Sequence, residues 1–523
     1  MDFRPGPRQR SMAGLMTDLR DDKPMWGLGE VLKQAWPASL SMLNHTLMQF
    51  VDGLMVSWHS PTALAAQFVG GILVFLPTSF ALGMLAVVNT YVSQNLGAGR
   101  PHRCGQYAWA GMAVAVAYSL LLAPVLIALA GPLFGQIDRL AAAVRDATGI
   151  SLTPEQRAPQ LVAMQTMYFR YLMAGMGVFL VSRVLNGFFF GIHKAWIVLC
   201  ASLAVNLANV GINYVLIFGK LGFPAMGLEG AAIGTVASVG LLVLLLGSVF
   251  LCRHMHLRFA TRRWRDAKLS ECRDLLRVGW PAGVQFANDT ANWGVFTAVL
   301  VGVFGPAHLT ANTVAVRYIS LSFMPAVGIS IATTALVGRY IGLGRPDLAR
   351  RRTHAAVWVA MIYMGLCAAA FVVFRYPMVR IFAGGAAPGT TAIPPERIVA
   401  IGVNLLLLAA AFQVFDALGI VFVGALRGAG DTLWPMVVTI MLSWLVIGGG
   451  GAAAVLLAPE LTSLGPWLAA SGYVVILGLL MAWRFESGAW RRIDLLGRGR
   501  PAVPGVEPAD AEDAASRDAP PIH

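Results

Sequence analysis

The chain is 523 residues long, with 57% hydrophobic and only 12% charged residues, where a soluble domain carries about 25% charged. Mean hydropathy of +0.67 sets it among polytopic membrane proteins. The formal net charge of +13 would suit nucleic acid only if the basic residues gathered on a soluble domain, and they lie instead between apolar runs.

The opening MDFRPGPRQRSMAG, followed by DLRDDKP, does not match a cleaved signal peptide, and residues 1–35 read as a cytoplasmic N-terminal segment. Twelve apolar stretches follow, each of about 18 residues or more, enough to cross roughly 30 Å of hydrocarbon. The first six are 36–58, 65–95, 107–130, 165–187, 196–218 and 229–252, and they make up an N-terminal bundle over 36–252. A basic linker over 253–277, RHMHLRFATRRWRDAKLSECRDLLR, reads as a topogenic segment, with anionic headgroups as a further partner. Six more runs, 278–304, 309–338, 355–375, 398–426, 433–456 and 466–483, make up a C-terminal bundle over 278–484. Residues 485–523, rich in Pro, Ala, Asp and Glu from about Arg498, read as a disordered cytoplasmic tail. The expected fold is an all-α membrane protein, with twelve transmembrane helices in two pseudo-symmetric six-helix bundles.

An internal repeat supports the division. Residues 61–101 align without a gap to 306–346 with 12 identities in 41 positions, among them Gly97, Gly99, Arg100 and Pro101 against Gly342, Gly344, Arg345 and Pro346. Trp36-Pro37-Ala38 and Trp280-Pro281-Ala282 match as the openings of the first and seventh helices. Six spans per half bring the second half in with the orientation of the first, so a pseudo-two-fold axis along the membrane normal is expected. Of the 39 Lys and Arg, 29 fall on the side shared by both termini and alternate loops, which places both termini in the cytoplasm.

The candidates for chemistry are the few polar groups at depth. A charged side chain at the bilayer centre costs roughly 2.5 kcal/mol or more, so each is a functional candidate. Asp52, in LMQFVDGLMVSW, lies far into the first run, Asp289 well into the seventh and Asp416 deep in the tenth. Gln49 accompanies Asp52, Gln285, Asn288 and Asn292 surround Asp289, and Gln413 precedes Asp416, as a hydrated cavity-lining face would require. Pairing of an acid with Arg170, Arg183 or Arg317 is the structural alternative for any one of them. Asp289 and Asp416 enter their bundle from opposite faces and are expected at similar depth, where two carboxylates would share a proton. Asn206, Asn209 and Asn213 share a face of the fifth run, as ligands or as interhelical hydrogen-bonding groups.

No HExxH, GxxxxGK[ST], CxxC or paired acidic motif occurs, which removes metal hydrolysis, ATP-driven transport and diphosphate chemistry from consideration. The five cysteines are scattered and read as free thiols, and no cofactor is expected.

MQFVDGLMVSW, the matched repeats ALAAQFVGGILVFLPTSFALGMLAVVNTYVSQNLGAGR and LTANTVAVRYISLSFMPAVGISIATTALVGRYIGLGR, and FQVFDALGIVFVGALRGAGDT together resemble the multidrug and toxic compound extrusion (MATE) family over about residues 30 to 485. The resemblance implies an antiporter of two six-helix bundles forming a V, in the bacterial inner membrane. It would export small cationic amphipathic compounds against inward proton or sodium movement, as a monomer among membrane lipids. The family's acids fall on Asp52, Asp289 and Asp416. The implied sodium site is Asp52 with Asn209 and Asn213, extended by Thr235. Many members carry AHQ early in the eighth helix where this chain has ANT, so Asn312 stands in place of the histidine, a departure that puts any histidine-dependent role there in doubt. A lipid-linked oligosaccharide flippase of the same superfamily and a polytopic membrane enzyme are the rival classes. The former should show more cationic residues in its cavity, and the latter a cluster of reactive groups near an interface.

Overall fold

The computed structural model describes residues 27–148, 159–383 and 394–497, and among these every regular element is a helix. The N-terminal half contains α1 (Leu28–His59), α2 (Pro61–Leu85), α3 (Val87–Gly97), α4 (Pro101–Thr148), α5 (Pro159–Ala174), α6 (Met176–Gly191), α7 (Ala195–Phe218) and α8 (Leu228–Phe250). The linker carries α9 (Arg253–Phe259). The C-terminal half contains α10 (Leu269–Val295), α11 (Pro306–Gly342), α12 (Pro346–Val373), α13 (Arg375–Ala383), α14 (Pro395–Ala429), α15 (Leu433–Leu442), α16 (Gly451–Leu457) and α17 (Leu464–Glu486). A π-helical turn follows α10 at Phe296–Val301, and another joins α15 to α16 at Ser443–Gly450.

Among the described residues nine helices are long and apolar enough to cross a membrane, and a pair bent by 47° at Gly175 makes a tenth. The two remaining spans, α1 and α10, are the ones that carry the polar stripes. Asn44, His45, Gln49 and Asp52 on α1, with Gln285, Asn288, Asp289 and Asn292 on α10, lower their hydropathy and mark them as lining something other than lipid.

Both helices begin earlier than the apolar pattern suggests. Pro37 and Pro281 lie inside α1 and α10 rather than at their openings. The added turns are amphipathic: Val31 and Ala35 are buried while Lys33 faces outward, so hydropathy marks the lipid-crossing part and not the helix end. The expected disordered tail is also corrected at its start. Trp490 is buried, stacks on Phe485 at 5.1 Å and donates from Nε1 to the Phe485 carbonyl at 2.8 Å. Those contacts fix the chain just beyond α17, whereas residues 498–523 of the expected tail, and 1–26 of the N-terminal segment, lie outside the described residues.

The internal repeat reappears as backbone geometry. α3 and α11 are both followed, two residues past their ends, by a glycine of positive φ, Gly99 at 69° and Gly344 at 72°, before a new helix starts at Pro101 or Pro346. Arg100 N–H donates to the Asn95 carbonyl and Arg345 N–H to the Tyr340 carbonyl, each at 2.9 Å, closing the same Schellman turn. The two helices cross reciprocally. A Cβ at Gly97 would overlap the Arg339 carbonyl, and a Cβ at Gly342 would overlap the carbonyl of Gln94, the repeat partner of Arg339. The pseudo-two-fold axis therefore passes between α3 and α11.

The halves are held together at the end that carries these turns. Gln94 Nε2 donates to the Gly428 carbonyl at 2.9 Å and Thr90 Oγ1 to the Arg427 carbonyl at 2.9 Å. Tyr107 Oη donates to Asp274 Oδ2 at 3.0 Å. Glu30 of α1 accepts from Arg352 Nε at 2.8 Å and from Tyr340 Oη at 2.6 Å, with Arg339 at 3.6 Å. Ser39, which donates to the Pro325 carbonyl at 2.7 Å, is the inter-half hydrogen bond set furthest from that end along α1. Beyond it, among the described residues, no hydrogen bond or ion pair joins the halves. The result is a V closed at one end.

Candidate functional site

Asp52 sits past the last of those bonds on α1 and is 5% exposed. Its Oδ1 accepts from Asn213 Nδ2 at 2.7 Å. The i, i+4 spacing stacks Asn209 beneath Asn213 on α7, and Asn213 Nδ2 also reaches Asn209 Oδ1 at 3.3 Å. Asn209 Nδ2 donates to Ser238 Oγ of α8 at 3.1 Å. Gly234 makes room for the arrangement, because a Cβ there would overlap Asn213 Oδ1. That oxygen is buried and has no hydrogen-bond donor. One carboxylate and neutral amide and hydroxyl oxygens are thus gathered in a small space, a donor set of the kind hard cations prefer.

Thr235, the residue indicated by the resemblance, bonds among the described residues only to the Ala231 carbonyl of its own helix, at 2.8 Å. The hydroxyl that enters the network is Ser238, three residues further along α8. Nothing in GTVASVG distinguishes that serine in sequence; the register of α8 against α7 selects it. Asn206, also named on this face, donates from Nδ2 to Asn44 Oδ1 at 2.7 Å and serves as an α1–α7 contact. Gln49 lies exposed on α1.

The C-terminal half is built differently. Asn288 is held between Ser443 Oγ, to which its Nδ2 donates at 3.1 Å, and Trp444 Nε1, from which its Oδ1 accepts at 2.9 Å. Both partners belong to the π turn at Ser443–Gly450, and such turns are frequent at functional sites. Gln285 donates to Thr439 Oγ1 at 3.2 Å and Gln413 to Ser322 Oγ at 2.7 Å. Asn292 keeps a buried side-chain oxygen without a donor. Asn312 accepts from Trp467 Nε1 at 2.9 Å, a packing role. Asp289 and Asp416 do not hydrogen-bond to each other; what they share is buried Tyr473 of α17, which lies within electrostatic reach of both. Among the described residues none of the three acids forms an ion pair. Arg427, counted from the sequence as a loop cation, lies inside α14 and within electrostatic reach of Asp289. Tyr473 and Arg427 escaped the sequence argument because one is a lone tyrosine in an apolar helix and the other stands at the end of an apolar run.

Two six-helix bundles meeting at one end, with carboxylates set at depth beyond the junction, define a two-bundle membrane transporter fold. The family model MatE matches residues 37–215 and 289–448, and the chain belongs to the MatE family. It is 28% identical over 477 residues to the probable multidrug resistance protein NorM of Pseudomonas aeruginosa, covering 90% of each chain. It is 28% identical over 424 residues to the multidrug resistance protein MdtK of Edwardsiella ictaluri, covering 80% of this chain and 85% of that one. Among solved structures, an outward-facing multidrug resistance MATE family transporter of the MOP superfamily superposes with a TM-score of 0.75 at 19% identity, over 89% of this chain and 97% of that one. A MOP superfamily transporter from Pyrococcus furiosus, described as having a binding pocket of reversed polarity, gives 0.76 at 19% identity over the same shares. At these identities the likeness establishes the fold.

Proposed function

We propose that this protein is a monomeric multidrug exporter that exchanges cationic amphipathic compounds for protons or sodium by alternating access of its two halves. The observation that carries this reading is the set of three acids at depth, Asp52, Asp289 and Asp416, with no ion-pair partner among the described residues. A carboxylate in a poorly solvated cleft must be neutralised, and a proton, a sodium ion or an organic cation can each do so. Asp52, Asn209, Asn213 and Ser238 are the cation site on this reading, and Asp289, Asp416 and Tyr473 face the cargo. The basic end of the molecule is cytoplasmic, with both termini, so the closed end faces the cytoplasm and the V opens outward. The names of the NorM and MdtK relatives support drug export and speak against a membrane enzyme.

The test is uptake of a fluorescent organic cation into proteoliposomes under a proton gradient, a sodium gradient, both or neither. Gradient-driven uptake is expected in wild type, and it should be lost in Asp52→Asn and reduced in Asp289→Asn and Asp416→Asn at equal protein content. Uptake that ignores both gradients, or that survives all three substitutions, would rule the exchange mechanism out. Turnover of a lipid-linked sugar in the same vesicles would favour the flippase class.

A further inference from the structure

A cavity of about 20 Å³ lies between the halves near the closed end. From the N-terminal half it is lined by Asn89, Arg183, Gly187 and Phe190, and from the C-terminal half by Thr334 and Arg427, among others. Both arginines border this space, and they come from opposite sides of the interface. Among the described residues neither makes a salt bridge or a side-chain hydrogen bond. No carboxylate lines the cavity. The charged and titratable groups that act on the pair from outside are Asp289, on Arg427, and His45, on Arg183. Arg183 and Arg427 also act on each other, as like charges. Among the described residues the neutral polar groups make no hydrogen bond to them, although Asn89 keeps a buried side-chain oxygen without a donor. Thr334 Oγ1 is engaged with the Gly424 carbonyl at 2.7 Å and the Ser330 carbonyl at 3.0 Å, and Asn89 Nδ2 donates to the Ile331 carbonyl at 3.2 Å.

Two cations brought together across a poorly solvated interface oppose its closure unless something of opposite charge stands between them. The volume admits one occupant of the size of a water molecule or a halide ion. We propose that this cavity binds one monovalent inorganic anion of halide size, held jointly by Arg183 and Arg427. Because each half supplies one arginine, the site is complete only when this end is closed. The anion therefore favours the closed-end conformation and leaves as the halves part, and its binding is distinct from the exchange at the three acids.

The test uses purified full-length protein in detergent, with sodium and ionic strength constant while chloride replaces gluconate. Chloride should raise the Tm saturably in wild type, and the rise should vanish in both Arg183→Gln and Arg427→Gln. Bromide substituted for chloride in crystals of the wild-type protein should give an anomalous peak between the two guanidinium groups, a readout independent of how well the variants fold. Identical wild-type melting curves in chloride and gluconate, an undiminished chloride effect in both variants, or no bromide between the arginines in the closed-end state would overturn the proposal.

Discussion

Among the described residues Asn213 is the sole hydrogen-bond donor to Asp52, and it is placed by two features that no residue-type argument would weigh, the missing side chain at Gly234 and the register of Ser238. A hydrogen bond to a charged group is worth about 1.5–3 kcal/mol. Asn213→Ala should therefore weaken cation protection of the N-terminal half by about tenfold or more, since 1.4 kcal/mol is a factor of ten. Sodium-dependent thermal stability at fixed pH and ionic strength measures it. The same assay separates two hydroxyls: Ser238→Ala should weaken protection and Thr235→Ala should leave it near wild type. Equal losses from both would place Thr235 in the site after all. The acids themselves were legible in the sequence, because a carboxylate in an apolar run is rare and costly. Ser238 was not, since a serine among small residues carries no such cost and only tertiary register gives it a role.

At the scale of the helix, α3 and α11 show what a repeat can disclose. The alignment of 61–101 with 306–346 points to equivalent elements and equivalent turns, and the paired glycines, Gly99 and Gly344, follow from the left-handed backbone that a Schellman turn requires. It does not disclose that Gly97 and Gly342 each pack on the other repeat's backbone, because the axis relating the copies is a property of the assembled halves. Nor could hydropathy place the starts of α1 and α10, whose first turns are amphipathic rather than apolar. Gly97→Val and Gly342→Val should each force the two helices apart, at the 1–3 kcal/mol typical of overpacking. Transport should fall in both variants at normal membrane abundance, while a single cysteine placed at Ser93 becomes more reactive toward a reagent added from the closed end. Normal transport in either variant would show that the close crossing is dispensable.

Across the whole molecule, the ion pairs that join the halves at the closed end, among the described residues, converge on one carboxylate of the N-terminal half. Glu30 takes Arg352 and Tyr340 directly and Arg339 at longer range, all from the C-terminal half. It lies in the stretch that the sequence assigned to a cytoplasmic segment, so its role was hidden by the misplaced start of α1. Glu30→Gln retains one acceptor but removes the charge, and the expected outcome is a shift toward the conformation open at this end. Distances between spin labels on α1 and α12, measured in detergent and in vesicles, should lengthen or broaden at this end; an unchanged distribution would assign closure to the glycine crossing and the uncharged hydrogen bonds alone.

The reciprocal contact of Gly97 and Gly342 has a consequence for how the two orientations of such a carrier can be related. An axis that runs along the membrane normal exchanges the left half with the right half and leaves the top where it was. Swapping the conformations of the two repeats therefore regenerates the same V, open at the same end, never a V open at the other. In a carrier with inverted repeats one closed gate is a template for the other; here it is not. The seal that forms when the V reverses must be written in different residues, near His59, Phe218, Phe304 and Leu457 at the far ends of the helices. It can be strengthened or weakened by mutation without touching Glu30, Gln94 or the glycines, so the resting bias between the two orientations has two independent adjustment points, one at each face of the membrane.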